Sequence, residues 1–187
     1  MLKNTHEHHQ LVATHERLNS FRVAAIQMAS GPSVSANLEE AARWIEEAVT
    51  QQAQLVVLPE YFCIMGMKDT DKLAVREHPG EGPIQKFLSD TAKRHGIWLV
   101  GGSVPLATSD PNKVYNSCLV YADNGELAAR YDKIHLFGLQ LGNEHYAEEK
   151  TIKAGDKVVT VDSPFGRMGL SICYDLRFPE LFRNMNK

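Results

Sequence analysis

The chain has few cysteines, no long apolar run and no excess of positive charge, and each lack removes a class of protein. Cys63, Cys118 and Cys173 are an odd count in no paired spacing, which excludes a disulfide framework and fits a reducing compartment. No apolar stretch approaches the roughly 20 residues needed to cross a bilayer, and the N-terminus carries no apolar signal region. A soluble, cytoplasmic protein is expected, with no membrane partner. The 20 Lys and Arg face 23 Asp and Glu, a net charge of −3, so there is no basic surface of the kind that binds nucleic acid. Internal repeats and low-complexity segments are also missing. What remains is 187 residues, 43% hydrophobic, enough to bury one sizeable core.

Residues 1–20 are polar and histidine-rich, with His6, His8, His9 and His15. Without an accompanying cysteine or core residues they read as a disordered extension rather than a metal site, ahead of a single domain over residues 21–187. Phe21 to Met28 reads as a strand. Gly31-Pro32-Ser33 breaks it, and Asn37 with Glu40 forms a capping pair for a helix. Leu38, Ala41, Ala42, Ile45, Ala48 and Val49 recur there at helical spacing. Leu55 to Leu58 is a short continuous apolar run, as in a parallel strand covered on both faces. This first β-α-β unit places Glu60 at a strand's carboxyl end. Residues 61–81 read as a long loop with a short helix. Gly82-Pro83 then opens a second helix, closed by Gly96. Ile97 to Val104 is the next strand, whose Gly101-Gly102 allows close backbone approach. Asp123-Asn124-Gly125 joins two strands, Asn116 to Ala122 and Glu126 to Lys133, as a hairpin. A polar loop with Glu144, His145, Glu148 and Glu149 follows, then a strand from Val158 to Asp162.

Met168 to Ile172 is apolar and partly β-branched, a buried strand that runs straight into Cys173, with Pro179 suited to a following helix's first turn. The cysteine therefore sits at the carboxyl end of a strand. That is where ligands bind in open α/β sheets, and a helix N-terminus there lowers a thiol's pKa. Read on its own, Cys173 is more simply a small buried hydrophobe, as most free cysteines are.

Glu60, Lys133 and Cys173 lie near the ends of three separate strands, as when a site is assembled from the loops of a rigid sheet. A thiol is mostly protonated at neutral pH, and a carboxylate in reach takes its proton as it attacks. A lysine stabilises the oxyanion that forms, and the Tyr174 N–H, on the turn after the sulfur, is a second donor. Each residue also has a plain structural reading: Glu60 as a solvated loop carboxylate, Lys133 as an edge-strand charge. His135 and His145 compete with Glu60 for the role of base.

The segment from about Arg22 to Met185 resembles the nitrilase superfamily, the carbon–nitrogen hydrolases. The likeness rests on Leu55-Val56-Val57-Leu58-Pro59-Glu60, Tyr131-Asp132-Lys133-Ile134-His135-Leu136 and the block from Gly169 through Cys173 to Glu180, in the family's order. Within the superfamily it is most similar to the Nit-type amidases. The resemblance implies an α/β fold, an α-β-β-α sandwich with mixed sheets, commonly dimerised through its helical face. It also implies a Glu60-Lys133-Cys173 triad with a supporting glutamate. Glu148, by its position before Lys150-Thr151, matches that glutamate better than Glu144 or Glu149. Asp132 and Gly138 depart from residues common in relatives, and the family domain normally continues past Lys187, so the chain reads as C-terminally incomplete.

The expected reaction is hydrolysis of a small carboxamide through a cysteine thioester, with release of ammonia and no metal or organic cofactor required. Arg177 either pairs with a substrate carboxylate or forms an ion pair with Asp175 or Glu180. Nitrile hydrolysis and N-carbamoyl cleavage use the same triad and stay open, as does a catalytically silent fragment acting as an interaction module.

Overall fold

The computed structural model describes residues 20–142 and 144–186, with the side chains of Glu144 and His145 outside the description. The histidine-rich stretch of residues 6–15 also lies outside it. β1 (Val23–Ala25) is shorter than its apolar pattern suggested, and α1 (Val34–Thr50) follows the Gly31-Pro32-Ser33 break. Ser33 is the cap, its hydroxyl accepting the Ala36 amide at 3.4 Å. Asn37 and Glu40 do not form the expected capping pair. Asn37 lies buried inside the first turn, and its side chain bonds the Gly31 amide (2.8 Å), the Gly31 carbonyl (2.7 Å) and the Cys63 carbonyl (3.0 Å). A buried amide must find partners, and the chain on either side of the first β-α-β unit offers three, so Asn37 ties two loops together.

β2 (Leu55–Val57) pairs in parallel with β1 and leads to Glu60. The long loop after it holds α2 (Asp71–Ala74), and α3 (Pro83–His95) is closed by Gly96 at φ 60°. The buried Glu77 carboxylate accepts the amides of Ile84 (2.5 Å) and Gln85 (3.0 Å), giving α3 the negative charge its N-terminus favours. β3 (Trp98–Val100), β4 (Val104–Ala107), β5 (Val114–Tyr121) and β6 (Leu127–Asp132) complete a six-stranded mixed sheet. β3 is parallel to β2. β3 and β4 run in succession along one antiparallel edge of β5, whose other edge carries β6.

The single strand expected over residues 97–104 is therefore broken in two, and its glycines are the reason. A Cβ on Gly102 (φ +46°) would stand 2.0 Å from the Pro59 carbonyl oxygen, and one on Gly101 would stand 2.5 Å from Leu88 Cδ1. The kink lets the chain pass directly under the loop that presents Glu60.

β7 (Gly138–Leu141) and β8 (Glu144–Ala147) form a hairpin where a polar loop was expected. Every residue of β7 is exposed, so it lacks the in–out alternation that marks a strand in sequence. β9 (Thr160–Ser163) and β10 (Gly166–Gly169) form a second hairpin. β10 corrects a further expectation. It ends at Gly169, pairs only with β9 among the described residues and is exposed at three of its four residues, so the run to Ile172 is not a buried strand of the main sheet. α4 (Pro179–Met185) starts at Pro179 as its sequence suggests.

Alternation in the central strands sorts the core into two layers. Val56, Leu99, Leu119 and Tyr121 pack with Ala41 and Ile45 of α1 and Leu88 of α3. The opposite face presents Trp98, Val100, Cys118, Val120 and Tyr131, which meet Met168, Leu170 and Ile172. α4 lies on the far side of this second layer, where a Cβ on Gly169 would stand 2.5 Å from Met185 Sδ. The order is helices, sheet, hairpin, helix: the α-β-β-α sandwich.

Replacing Gly102 with alanine forces a positive φ on a side chain and drives it into the Pro59 carbonyl. A loss of at least about 2 kcal/mol is expected, lowering Tm by roughly 4–8 °C. Thermal unfolding checks it, and an unchanged Tm contradicts the close approach.

Candidate active site

Lys133 follows the last residue of β6, where its amide donates to the Asn116 carbonyl at 2.9 Å and its carbonyl accepts the Gly155 amide at 2.9 Å. Its side chain is 0% exposed, so its charge must be matched within the protein. The ammonium stands 3.1 Å from Glu60 Oε1 and 3.0 Å from a Glu148 carboxylate oxygen. Burial alone would lower its pKa, but the Glu60 charge and the bonds to Glu148 outweigh it and hold the pKa above its ordinary value. A cation whose folded pKa is raised contributes stability fully below its unfolded pKa of about 10.4 and loses it only as pH climbs past the folded value.

Both carboxylates are themselves fixed. Glu148 opens a single 3-10 turn (Glu148–Lys150) after β8; its second oxygen accepts the Phe137 amide at 2.7 Å. Glu60 Oε1 also accepts Asn116 Nδ2 at 2.8 Å. Asn116 carries no sequence signal beyond its place in a strand, and sequence reasoning missed it. Of the other glutamates weighed for the supporting position, Glu149 is exposed.

Cys173 heads a 3-10 turn (Cys173–Arg177) at φ 50°, a left-handed conformation uncommon for a residue with a side chain. Tyr61, directly after Glu60, is held the same way at φ 55°, its amide donating to Ser103 Oγ at 2.9 Å. The strain at Cys173 is held by Asp175, which is fully buried and accepts four bonds. They come from the Ile172 amide (2.9 Å), the Tyr131 hydroxyl (2.6 Å), the His135 amide (3.0 Å) and His135 Nδ1 (2.7 Å). Asp175 therefore pins the nucleophile-bearing turn to the segment that carries Lys133. His135, a competing base in the sequence reading, has its Nδ1 on Asp175, and its ring stacks on Phe178 at 3.7 Å.

The pKa of the Cys173 thiol is raised, first by partial burial and then by the nearby Glu60 charge, with Lys133 acting in the opposite direction. The lowered pKa expected from a helix N-terminus is thus overturned. The turn that Cys173 heads is five residues of 3-10 helix, too short for a helix dipole to build up. The first bond within the turn is made by the Asp175 amide to the Ile172 carbonyl at 3.1 Å, so the Tyr174 amide precedes it, where helix donors lack internal partners. Cys63 and Cys118 are buried and pushed up to about 12 by desolvation.

Arg177 is exposed and forms neither ion pair considered for it. Asp175 is taken up by Tyr131 and His135, and Glu180 lies 3.7 Å from Arg183. Among the described residues no three His, Cys, Asp or Glu side chains gather as metal ligands would.

Comparison with known proteins places this geometry. The chain is 44% identical over 166 residues to omega-amidase of Homo sapiens, covering 88% of this chain and 58% of that protein. It is 39% identical over 175 residues to deaminated glutathione amidase of a Synechocystis strain, covering 91% and 63%. Among solved structures, Saccharomyces cerevisiae Nit3, a member of branch 10 of the nitrilase superfamily, superposes with a TM-score of 0.75 at 34% identity, over 86% of this chain and 58% of that one. The chain thus spans a little over half the length of the relatives it matches. The family model for carbon–nitrogen hydrolases matches residues 22–187, and with Glu60, Lys133 and Cys173 brought into one cluster the chain belongs to the carbon–nitrogen hydrolase family.

Proposed function

We propose that the site hydrolyses the carboxamide of a small carboxylic acid through a thioester on Cys173. The observation that carries the reading is that one carboxylate, Glu60, pairs with the Lys133 ammonium at 3.1 Å and lies near enough to the Cys173 thiol to raise its pKa. Because the thiol pKa is raised, the resting nucleophile is the protonated thiol, and proton removal accompanies attack. Glu60 takes the proton while sulfur bonds to the amide carbon. Lys133 and the Tyr174 N–H face the oxyanion that forms. Collapse breaks the C–N bond as Glu60 returns the proton to nitrogen, and ammonia leaves. Glu60 next takes a proton from water, whose oxygen attacks the thioester carbon. Carbon–sulfur cleavage then returns the proton to the thiol, giving one carboxylic acid and one ammonia per amide and water consumed.

Glu148 acts here as a positioning residue, holding Lys133 through a 3.0 Å bond to its ammonium. The names of two relatives, omega-amidase and deaminated glutathione amidase, support an amide that also bears an acid group. Arg177, exposed beside the turn, remains a candidate for that acid.

Ammonia release from a panel of dicarboxylic monoamides, a nitrile and an N-carbamoyl compound tests the proposal, with release from the monoamides expected. Cys173→Ala should abolish it; release at the parent rate would remove the nucleophile. Glu60→Gln should lower kcat by about 10²–10⁴-fold, since one group serves every proton transfer.

Alkylation gives a separate test. At neutral pH iodoacetamide should modify Cys173 and spare Cys63 and Cys118, with a pH midpoint above that of a free cysteine. In Glu60→Gln the midpoint should fall, because the negative charge that opposes the thiolate is gone while Lys133 remains. A midpoint that rises or stays put contradicts the assigned contact.

A further inference from the structure

The carboxylate-bearing end of the substrate also needs a binding place, and the catalytic cluster is poorly suited to supply it. Glu60 and Glu148 outnumber Lys133, so the cluster as a whole repels an anion, and the Lys133 ammonium is already shared between two carboxylates. A second lysine stands beside it. Lys72, on α2, is half-buried and has no carboxylate within ion-pairing distance among the described residues. Its ammonium is 5.5 Å above the Tyr61 ring and makes a long bond, 3.4 Å, to Thr151 Oγ1. Thr151 in turn is bound through its amide to the Glu148 carbonyl at 3.0 Å. Lys72 and the triad therefore share Tyr61 and the turn of Glu148 as common walls.

Tyr61 and Lys72 line a cavity of about 80 Å³ together with Ile64, Met65, Lys68, Asp69 and Tyr146, so two lysines stand against one carboxylate in its lining. Several waters fit in such a volume, as does a carboxylate with one or two methylenes. The Tyr61 hydroxyl is buried without a hydrogen-bond partner, and an unpartnered buried donor costs on the order of 1–3 kcal/mol unless something fills it. Desolvation lowers the Lys72 pKa, and the neighbouring charges of Asp69, Glu148 and Glu60 partly restore it. Both polar groups are thus underused by the protein itself.

Resting on the hydrolase reading above, we infer that this cavity holds the free carboxylate of the substrate, with Lys72 as its charge partner and Tyr61 forming the floor. Lys72 is then a specificity-determining residue. It selects amides whose acyl chain ends in an acid and sets the amide carbon over Cys173 by fixing the far end. Met65 and Ile64 line the part of the cavity where methylenes would lie.

The test compares succinamate with butyramide, which lacks the acid, in the parent chain, Lys72→Met and Lys72→Arg. Lys72→Met should lose at least about 30-fold in kcat/KM on succinamate, the low end for removing one partner of a desolvated charge pair. The loss should be carried by KM, butyramide turnover should be unaffected, and Lys72→Arg should recover part of the loss. Equal losses on both amides, or none, overturn the assignment. Binding is read separately, without turnover, as slowing of Cys173 alkylation by succinate. Protection in the parent that vanishes in Lys72→Met upholds the carboxylate site even if neither amide is hydrolysed, an outcome that counts against the proposed reaction alone. Protection absent from the parent, or abolished by Arg177→Met and kept by Lys72→Met, overturns it.

Discussion

A buried ammonium is the constraint around which the described structure is arranged. Lys133 has no solvent to share its charge with, and an ion taken out of water must be matched at close range or it costs several kcal/mol. Two carboxylates meet that demand, Glu60 just beyond the end of β2 and Glu148 in the turn after β8. Each comes from a different part of the chain, so the charge can be satisfied only when the first β-α-β unit, the β5–β6 hairpin and the β7–β8 hairpin are all in place. The ion group is thereby a check on assembly as well as a piece of chemistry. Removing one carboxylate would leave the cation half matched, a loss of about 3–5 kcal/mol in comparable buried pairs.

The sandwich places the nucleophile in a different layer from its base. Glu60 and Lys133 belong to the six-stranded sheet, while Cys173 follows the β9–β10 hairpin. Apolar packing brings the layers together through Val120, Tyr131, Leu170 and Ile172, but such packing is non-directional and tolerates slip. Hydrogen bonds provide the missing direction. The Tyr131 hydroxyl crosses from one layer to the other to reach Asp175, and the His135 amide and ring do the same.

The strand ends carrying Glu60 and Lys133 were legible because a covered strand bounded by a proline or a turn leaves a plain mark, and the family likeness added Glu148. The helices were legible for the same reason, through Ile45 and Leu88 at helical spacing. What escaped were features that depend on partners distant in sequence. Asn37 looked like a cap because local rules rank it as one, and two loops with unpaired backbone claimed it instead. Residues 97–104 looked like one strand because the pattern does not show the Pro59 carbonyl pressing on Gly102. β7 is exposed along its whole length, so it has no buried face to produce alternation. The turn at Cys173 suggests a dipole that lowers the thiol's pKa, whereas partial burial and a carboxylate 113 positions earlier in the chain raise it. Asn116, Tyr61 and Lys72 gave no signal, since their significance lies wholly in what they stand beside.

Asp175 divides the molecule's freedom unequally. With all four of its bonds committed to the main chain and to Tyr131 and His135, the elbow under the sulfur is a closed unit, in which any side chain other than a short acceptor breaks several contacts together. The outer strands β9 and β10 lead into the elbow through Leu170 and Ile172, and the solvent-facing residues of these strands lie outside the cluster that packs beneath it. Variation in what the site accepts therefore has one economical route. It runs through the loop between Glu60 and α2, which forms the opposite wall and can be rebuilt while the reacting atoms stay where they are.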